Sequence, residues 1–427
     1  MVNNKSKVIP MTCLLAIFIL TLILPVNIFA EEYEVPGNIS ASSLFSKNLL
    51  KGPNHKIMEK GVTYNGFTNT FSLRSRFGNM KAVGNGMVAV RVHEIQAIAH
   101  LAEIKGSSAF LDGMKESGGS MLTTTKNLIV HPVDTVSGIP SGLYNIFADV
   151  GVVIGQTVKG DSSVGHGLAA TGKALTGFTR NKRELAYSLG VNVYSDNKIL
   201  QESLNSVSWA TTGGSFTIDM AKMGATGAAS SVLTGISLTK STNRMVRDNS
   251  TPGLHRLNQD ALQDAGIEES AINRFLANKK LTPSHQTRIT HSIISLARVN
   301  NLGAFLNHVA KHTLSTTDAN MYQAVAAMIA GYNRHKTPIT KIGSHDNVIM
   351  FRNTEGSYVL TYPADNFFWT KRIANKVKGV VSAIPSGAKK ELWISGRFSD
   401  LSAKNLKRLG WVINDQALIK LEVGNPY

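Results

Sequence analysis

Cysteine is all but absent. The 427 residues hold one, Cys13, and it lies within the first thirty. Those thirty read as a removable export signal, so the chain that remains has no cysteine. It can form no disulfide, no thiolate-held metal site and no cysteine nucleophile. Long apolar runs are also missing: beyond residue 30 none reaches the roughly 20 residues needed to span a bilayer. Acid is in short supply, with 28 Asp and Glu against 45 Lys and Arg, a formal net charge of +17. The chain contains no Gly-x-Ser-x-Gly elbow, no Lys-Thr-Gly and no internal repeat, which removes the ordinary signatures of serine hydrolases and solenoids.

The export signal has its three parts in order. Lys5 and Lys7 form a positive start, Met11 to Leu24 is apolar, Pro25 breaks it, and Ala30 suits a cleavage site. Pro10-Met11-Thr12 before Cys13 is no lipobox, so a lipid-modified cysteine is not expected. Loss of this segment, with its two lysines and no acid, leaves +15. In an exported protein such a balance points to lipid headgroups, envelope polysaccharides or teichoic-like polymers rather than nucleic acid. The plain alternative is charge kept for solubility. The expected location is periplasmic or extracellular, with peripheral association to a membrane. About 400 residues allow two or three domains.

The middle of the chain is glycine-rich and pale in charge from Asn127 to Arg180. Leu143, Ile146, Phe147, Val150, Ile154 and Val158 recur at helical spacing, and Ala148, Gly151 and Gly155 make a second, small-residue face. Small residues at that spacing admit a neighbouring backbone. Leu143, Ile146, Phe147, Val150, Gly151 and Gly155 are therefore candidates either for packing in a core helix or for meeting a membrane interface. A second pale stretch, Leu204 to Thr239, holds Gly213, Gly214, Gly224, Gly227 and Gly235.

On either side the patterning is regular. Glu31 to Lys60 is polar and reads as a loosely ordered lead-in. Phe67, Phe71 and Leu73 alternate with polar residues as a half-buried strand, Gly78-Asn79 is a turn, and Met87 to Ile104 has helical period. Asn181 to Leu189 predicts a short charged helix closed by Gly190, and Ile199 to Trp209 a second. From Thr251 a run of helices follows: Leu254 to Ala265, one opened by Glu268 and Glu269, one capped by Thr282 with Pro283 behind it, Leu302 to His312, and Asp318 to Tyr332. Val348 to Phe351 and Tyr358 to Tyr362 flank a hairpin turn. Ala364 to Val377 predicts a helix. Glu391 to Ile394, a helix capped by Ser399, and Trp411 to Ile413 form a strand–helix–strand unit suited to a crossover. The expected fold is α+β and predominantly helical, with small strand–helix units at both ends around a glycine-rich helical centre. Its segments are 1–30, 31–110, 111–249, 250–336 and 337–427.

The pieces His131-Pro132-Val133-Asp134-Thr135-Val136, Gly138-Ile139-Pro140, Arg183-Glu184-Leu185-Ala186-Tyr187 and Leu392-Trp393-Ile394-Ser395-Gly396-Arg397 resemble a group of uncharacterised exported bacterial proteins. The resemblance covers most of the chain after the export signal. It implies a bacterial source and no activity.

Several fragments imitate catalytic motifs. Gly167 to Lys173 has the glycine and lysine spacing of a phosphate-binding loop, but Ala174 stands where Ser or Thr must hold Mg²⁺. Ser195-Asp196-Asn197 matches one motif of penicillin-recognising enzymes without the other two, and reads as a turn. His308 and His312 are one helical turn apart, but Val309 stands where a zinc protease needs Glu, and a solvated helix face is the reading. No metal or cofactor is expected. Two anion candidates remain: Lys371, Arg372, Lys376 and Lys378 beside Phe367, Phe368 and Trp369, and Arg397 before the helix capped by Ser399. The expected function is non-catalytic binding or structure in the bacterial envelope. The alternative is an envelope hydrolase whose residues are dispersed in sequence. Intact mass of the exported protein should place its start near Glu31; a mass that retains the first thirty residues overturns the signal.

Overall fold

A computed structural model describes residues 32–106, 164–212, 237–345 and 348–427. The expected export signal, and the candidates Leu143, Ile146, Phe147, Val150, Gly151 and Gly155, lie outside them. The fold is mixed α and β, with more helix than strand.

The first sheet is antiparallel and built on one long strand. β1 (Asn38–Ser40), β2 (His55–Ile57), β3 (Lys60–Tyr64), β4 (Thr68–Ser75) and β5 (Gly78–Val83) precede helix α1 (Asn85–Gly106). β4 is central: β3 and β2 share one edge and β5 takes the other. Three residues, Asn65 to Phe67, join β3 to β4, and Asn65 and Gly66 turn the chain with positive φ of 57° and 81°. The following turn falls at Arg76-Phe77, two residues before the expected Gly78-Asn79, because Gly78 already pairs with Ser75. The lead-in is not loose: it supplies β1 and β2 to this sheet. Phe71 and Leu73 are fully buried beneath the sheet against Val88 and Ile95 of α1. The same core takes side chains from α2 (Val164–Ser188), α3 (Lys198–Thr212) and α4 (Ser237–Asp248). The expected helix at Asn181 is the end of the longer α2. Gly190, at φ 67°, closes it, with its N–H and that of Val191 returning to Tyr187 and Ala186.

Five helices follow: α5 (Thr251–Asp264), α6 (Glu269–Ala277), α7 (Pro283–Ile294), α8 (Leu302–His312) and α9 (Thr316–His335). Thr282 caps α7 in a reciprocal arrangement with His285, and Ser315 caps α9 through Asp318 N. Their core continues without a break into the second sheet through Ile342, Phe351, Val359 and Trp393.

That sheet has the order β12-β10-β8-β7-β6. β6 (Ile339–His345), β7 (Val348–Asn353) and β8 (Tyr358–Tyr362) form an antiparallel meander, and β10 (Lys390–Ile394) and β12 (Trp411–Asn414) run parallel to β8. The expected hairpin and strand–helix–strand unit are both present. The α5–α9 helices cover one face; α10 (Lys371–Ser382) and α11 (Asp400–Arg408) cover the other around Leu392, Ile394 and Trp411. The helix expected from Ala364 starts later. Asp365 to Phe368 is instead extended: Asn366 N and Phe368 N donate to Phe67 O and Gly66 O, and β9 (Asn366–Phe367) pairs with β11 (Arg397–Phe398). Thr370 then caps α10 through Ile373 N.

Asp365 joins the two sheets. Its carboxylate accepts Asn69 N–H of β4 at 2.8 Å and Asn85 N–H at the start of α1 at 3.0 Å. Removal from water pushes its pKa up to about 6, against the pull of those two N–H groups. The folded state therefore holds this proton more tightly than the unfolded chain, whose value is near 3.8. This group's contribution to stability falls as pH rises from about 4 to about 6, and is level above that. In Asp365→Asn an amide NH₂ must face one backbone N–H, so a loss of about 1–3 kcal/mol is expected. Denaturation of both proteins across pH 4–7 should show the wild-type advantage largest at the acid end. A constant difference across that range overturns the assignment.

Candidate functional site

The second sheet is split. β6 pairs with β7 along its whole length, and β10 pairs with all of β8, but β7 and β8 share only Phe351–Val359 and Arg352–Tyr358. Beyond those pairs the strands part, and a cavity of about 210 Å³ occupies the opening. Because it interrupts the sheet, both helical layers reach it: His308 of α8, Tyr322 and Val325 of α9, and Lys376, Val377 and Val380 of α10. Leu392 and Trp411 line its depth, and Phe67 reaches it from the first hairpin, packed on Tyr362 at a ring separation of 5.0 Å. Phe67 therefore leaves the face that Phe71 and Leu73 share, since it precedes β4 proper.

The lining is almost wholly apolar, with a few polar groups placed inside. Thr361 Oγ1 and Trp411 Nε1 are buried and without a hydrogen-bond partner. His308 Nε2 and the Tyr322 hydroxyl hydrogen-bond at 3.1 Å. Among the described residues no Asp, Glu or Ser lines the cavity. The cavity exceeds the roughly 150 Å³ apolar void that suffices to take up benzene.

The mouth is cationic. Lys376 lies on the exposed side of α10 and lines the rim. Burial above all, then His312, Lys311 and Lys376, push the pKa of His308 down to about 4. His312, whose ring centre is 4.5 Å from that of His308, is held below the ordinary histidine value by burial and by the same two lysines. His308 is thus buried, not on the solvated face expected of it. The expectation failed because Lys311 and His312 suggested a wet surface, whereas α8 packs on α6 and β6 and His308 meets the Tyr322 hydroxyl of α9. Among the described residues no group of three or more His, Cys, Asp or Glu converges as a metal site.

The expected basic patch is divided by the structure. Phe367 and Trp369 are core residues, 5% and 0% exposed, and Ile373, Ala374 and Val377 bury the inner face of α10. Lys371, Arg372, Lys376 and Lys378 all lie on its outer face, but only Lys376 borders the cavity. Arg372 Nη2 donates to Asn65 O at 2.8 Å and holds the first hairpin. Arg397 is exposed in β11. The helix start beside it already carries an internal anion: Ser399 Oγ and Trp369 N both donate to the Glu34 carboxylate.

The remaining motifs are structural. Gly167 to Lys173 lies inside α2, where backbone N–H groups are engaged in the helix and cannot cradle a phosphate. Ser195-Asp196-Asn197 is a turn that closes a buried network. Arg91 bonds Glu94 at 2.7 Å and also Asp196, while Ser195 Oγ and Asn197 Nδ2 donate to the two oxygens of Glu94. Sequence reasoning passed over Phe67, Tyr322, Thr361 and Trp411. The Asn65-Gly66 dipeptide would have located the hairpin that delivers Phe67; no local signal marks the others.

No family model, curated protein or solved structure matches the chain. Among the described residues no helix is long and apolar enough to cross a membrane.

The depressed His308 pKa has a sign that can be measured. The folded state resists a proton that the unfolded chain accepts near pH 6.5, so this residue contributes a loss of stability as pH falls from about 6.5 to about 4. NMR titration should show His308 neutral throughout pH 5–8 with a midpoint near 4. A midpoint near the ordinary histidine value would mean that the cavity is open to water.

Proposed function

We propose that this is an exported bacterial envelope protein that binds an amphipathic anion without catalysis. Its ligand is a molecule with an acyl-like portion and one acidic group. The observation that carries the reading is the pairing of an apolar cavity with Lys376 at its rim, Lys311 and His312 close to its His308, and no acid in its lining among the described residues. The apolar portion fills the gap between β7 and β8, where burial contributes about 25 cal/mol per Å². The acidic group meets Lys376, and Thr361 and Trp411 offer polar contacts within. In this reading the remaining basic residues of α10, Lys371, Arg372 and Lys378, attract the anionic surface that holds the ligand. The strand-bearing units at the two ends are then the working parts, set around the helical glycine-bearing centre.

The hydrolase alternative has less support. The cavity joins a histidine to a tyrosine and a threonine, not to a serine and a carboxylate. A histidine held near pKa 4 is also a poor general base at neutral pH.

Laurate and dodecanol separate the two halves of the proposal. Val377→Phe should weaken both by at least about tenfold, a change of about 1.4 kcal/mol. Lys376→Gln should weaken laurate severalfold and leave dodecanol unchanged, with the laurate effect shrinking in salt. Equal laurate affinity in wild type and Val377→Phe, with melting preserved, removes the cavity from the function. Replacing Lys371, Arg372, Lys376 and Lys378 together with Gln should abolish salt-sensitive binding to anionic vesicles; retained binding assigns those residues to solubility.

A further inference from the structure

A second pocket, away from the apolar cavity, has two arginines and a histidine in its lining. It is about 60 Å³, room for a few waters, and lies between α7, α9 and the segment 422–426. Gly331 makes it possible. A Cβ there would stand 2.7 Å from Leu421 O and 2.8 Å from the Val423 side chain, so only glycine lets this last segment lie against α9. Gln323 Nε2 donates to Pro426 O and fastens the segment's far end.

Arg288 of α7 is part of the pocket wall. One of its amino groups donates to Asn243 Oδ1 at 2.8 Å, and its Nε, buried, has no partner. Arg334, exposed at the end of α9, stands at the rim, and His291 lies between them in the lining. Neither arginine forms an ion pair among the described residues. The one acid in the lining, Glu422, is exposed and faces His335 Nδ1 at 3.7 Å.

A guanidinium withdrawn from water is costly unless an anion or a full set of acceptors receives its five N–H donors. Elsewhere the protein supplies the anion, as Glu94 and Asp196 do for Arg91. Burial pushes the pKa of Arg288 down to about 10, which records the missing counter-charge. Two arginines around a small cavity match an oxyanion, whose oxygens can accept from both planar forks.

We infer that the pocket between α7, α9 and segment 422–426 binds a small tetrahedral oxyanion of the phosphate or sulfate class, with Arg288 as its inner and Arg334 as its outer ligand. Ser292 does not compete, because its hydroxyl donates to Arg288 O at 3.0 Å. The site is too small for an acyl chain and is independent of the amphipathic ligand proposed above. The same phosphate chemistry could be presented free or on a lipid headgroup.

Calorimetric titration of the full exported chain with inorganic phosphate in chloride buffer tests the inference. Saturable binding is expected, weakened at least about tenfold in Arg288→Gln, the loss of one charge-assisted contact, and severalfold in Arg334→Gln. Should Arg288→Gln fail to fold, Arg334→Gln carries the test, since its side chain is exposed and its removal leaves the core intact. Val377→Phe should leave phosphate binding unchanged, which separates this site from the apolar cavity. Vesicles containing phosphatidic acid distinguish the source. Vesicle binding that free phosphate displaces and Arg334→Gln reduces would assign a lipid-borne phosphate. Vesicle binding indifferent to both, with phosphate binding intact, would assign the free ion. No phosphate or sulfate binding by the folded wild type, or equal binding in both arginine variants, overturns the inference.

Discussion

One carboxylate holds the two sheets in register. Asp365 takes a backbone N–H from β4 and another from the first residue of α1, so the first sheet and its helix are both tied to the start of the second unit. Around it Asn69 accepts from Thr63 and Asn366 and donates to Asn85. The backbone of Gly396 presses so close to Asp365 that a Cβ there would lie 1.7 Å from Asp365 O; only glycine fits. Five residues on, Thr370 caps α10. The direction of α10, and with it the position of Lys376 at the cavity mouth, therefore follows from how Asp365 is held. A buried charge without such donors would be intolerable, and with them it becomes a joint.

The cavity follows from a second constraint. β7 follows β6 along its length and β8 follows β10, while the β7–β8 ladder between them has only two pairs. A sheet that divides leaves space that side chains from both layers must fill, and here they fill it incompletely. The residues that reach it are large and apolar, and the void between them is lined with little that can hold water. An apolar ligand therefore gains what a water cannot.

The excess of base is spread unevenly. Arg91, Arg180 and Arg247 each have a carboxylate, and Glu34 supplies the negative charge at the start of α11. Lys376 at the cavity mouth and Arg288 with Arg334 in the second pocket have none among the described residues. Net charge alone says that the protein favours anions. Which cations are left to meet them depends on where each acid lies in space. Two of the four residues expected as an anion patch illustrate this: Arg372 spends a donor on Asn65 O, and Lys376 becomes the rim of a cavity that composition does not show.

Much of the local structure is legible in the chain. Thr282-Pro283, Ser315 and Ser399 cap helices because a short side-chain oxygen satisfies the N–H groups a helix leaves open. Alternation at Phe71 and Leu73 marks a strand with one wet face, and Asn353 to Gly356 marks a turn. These signals act within a few residues, so sequence by itself determined most element positions and the class of the fold. It misjudged the start of the helix expected over Ala364 to Val377, where the chain is first held extended by Phe67 and Gly66, and it misjudged His308, whose charged neighbours hid its burial. Tertiary structure alone decided the Asp365 joint, the parting of β7 from β8 and the placing of Lys376, Arg288 and Arg334 beside cavities. Their partners lie far apart in the chain, as Asn69 and Asp365 or Glu34 and Ser399 do. Contacts at that separation leave no period or spacing in the sequence; they exist only once the layers have packed.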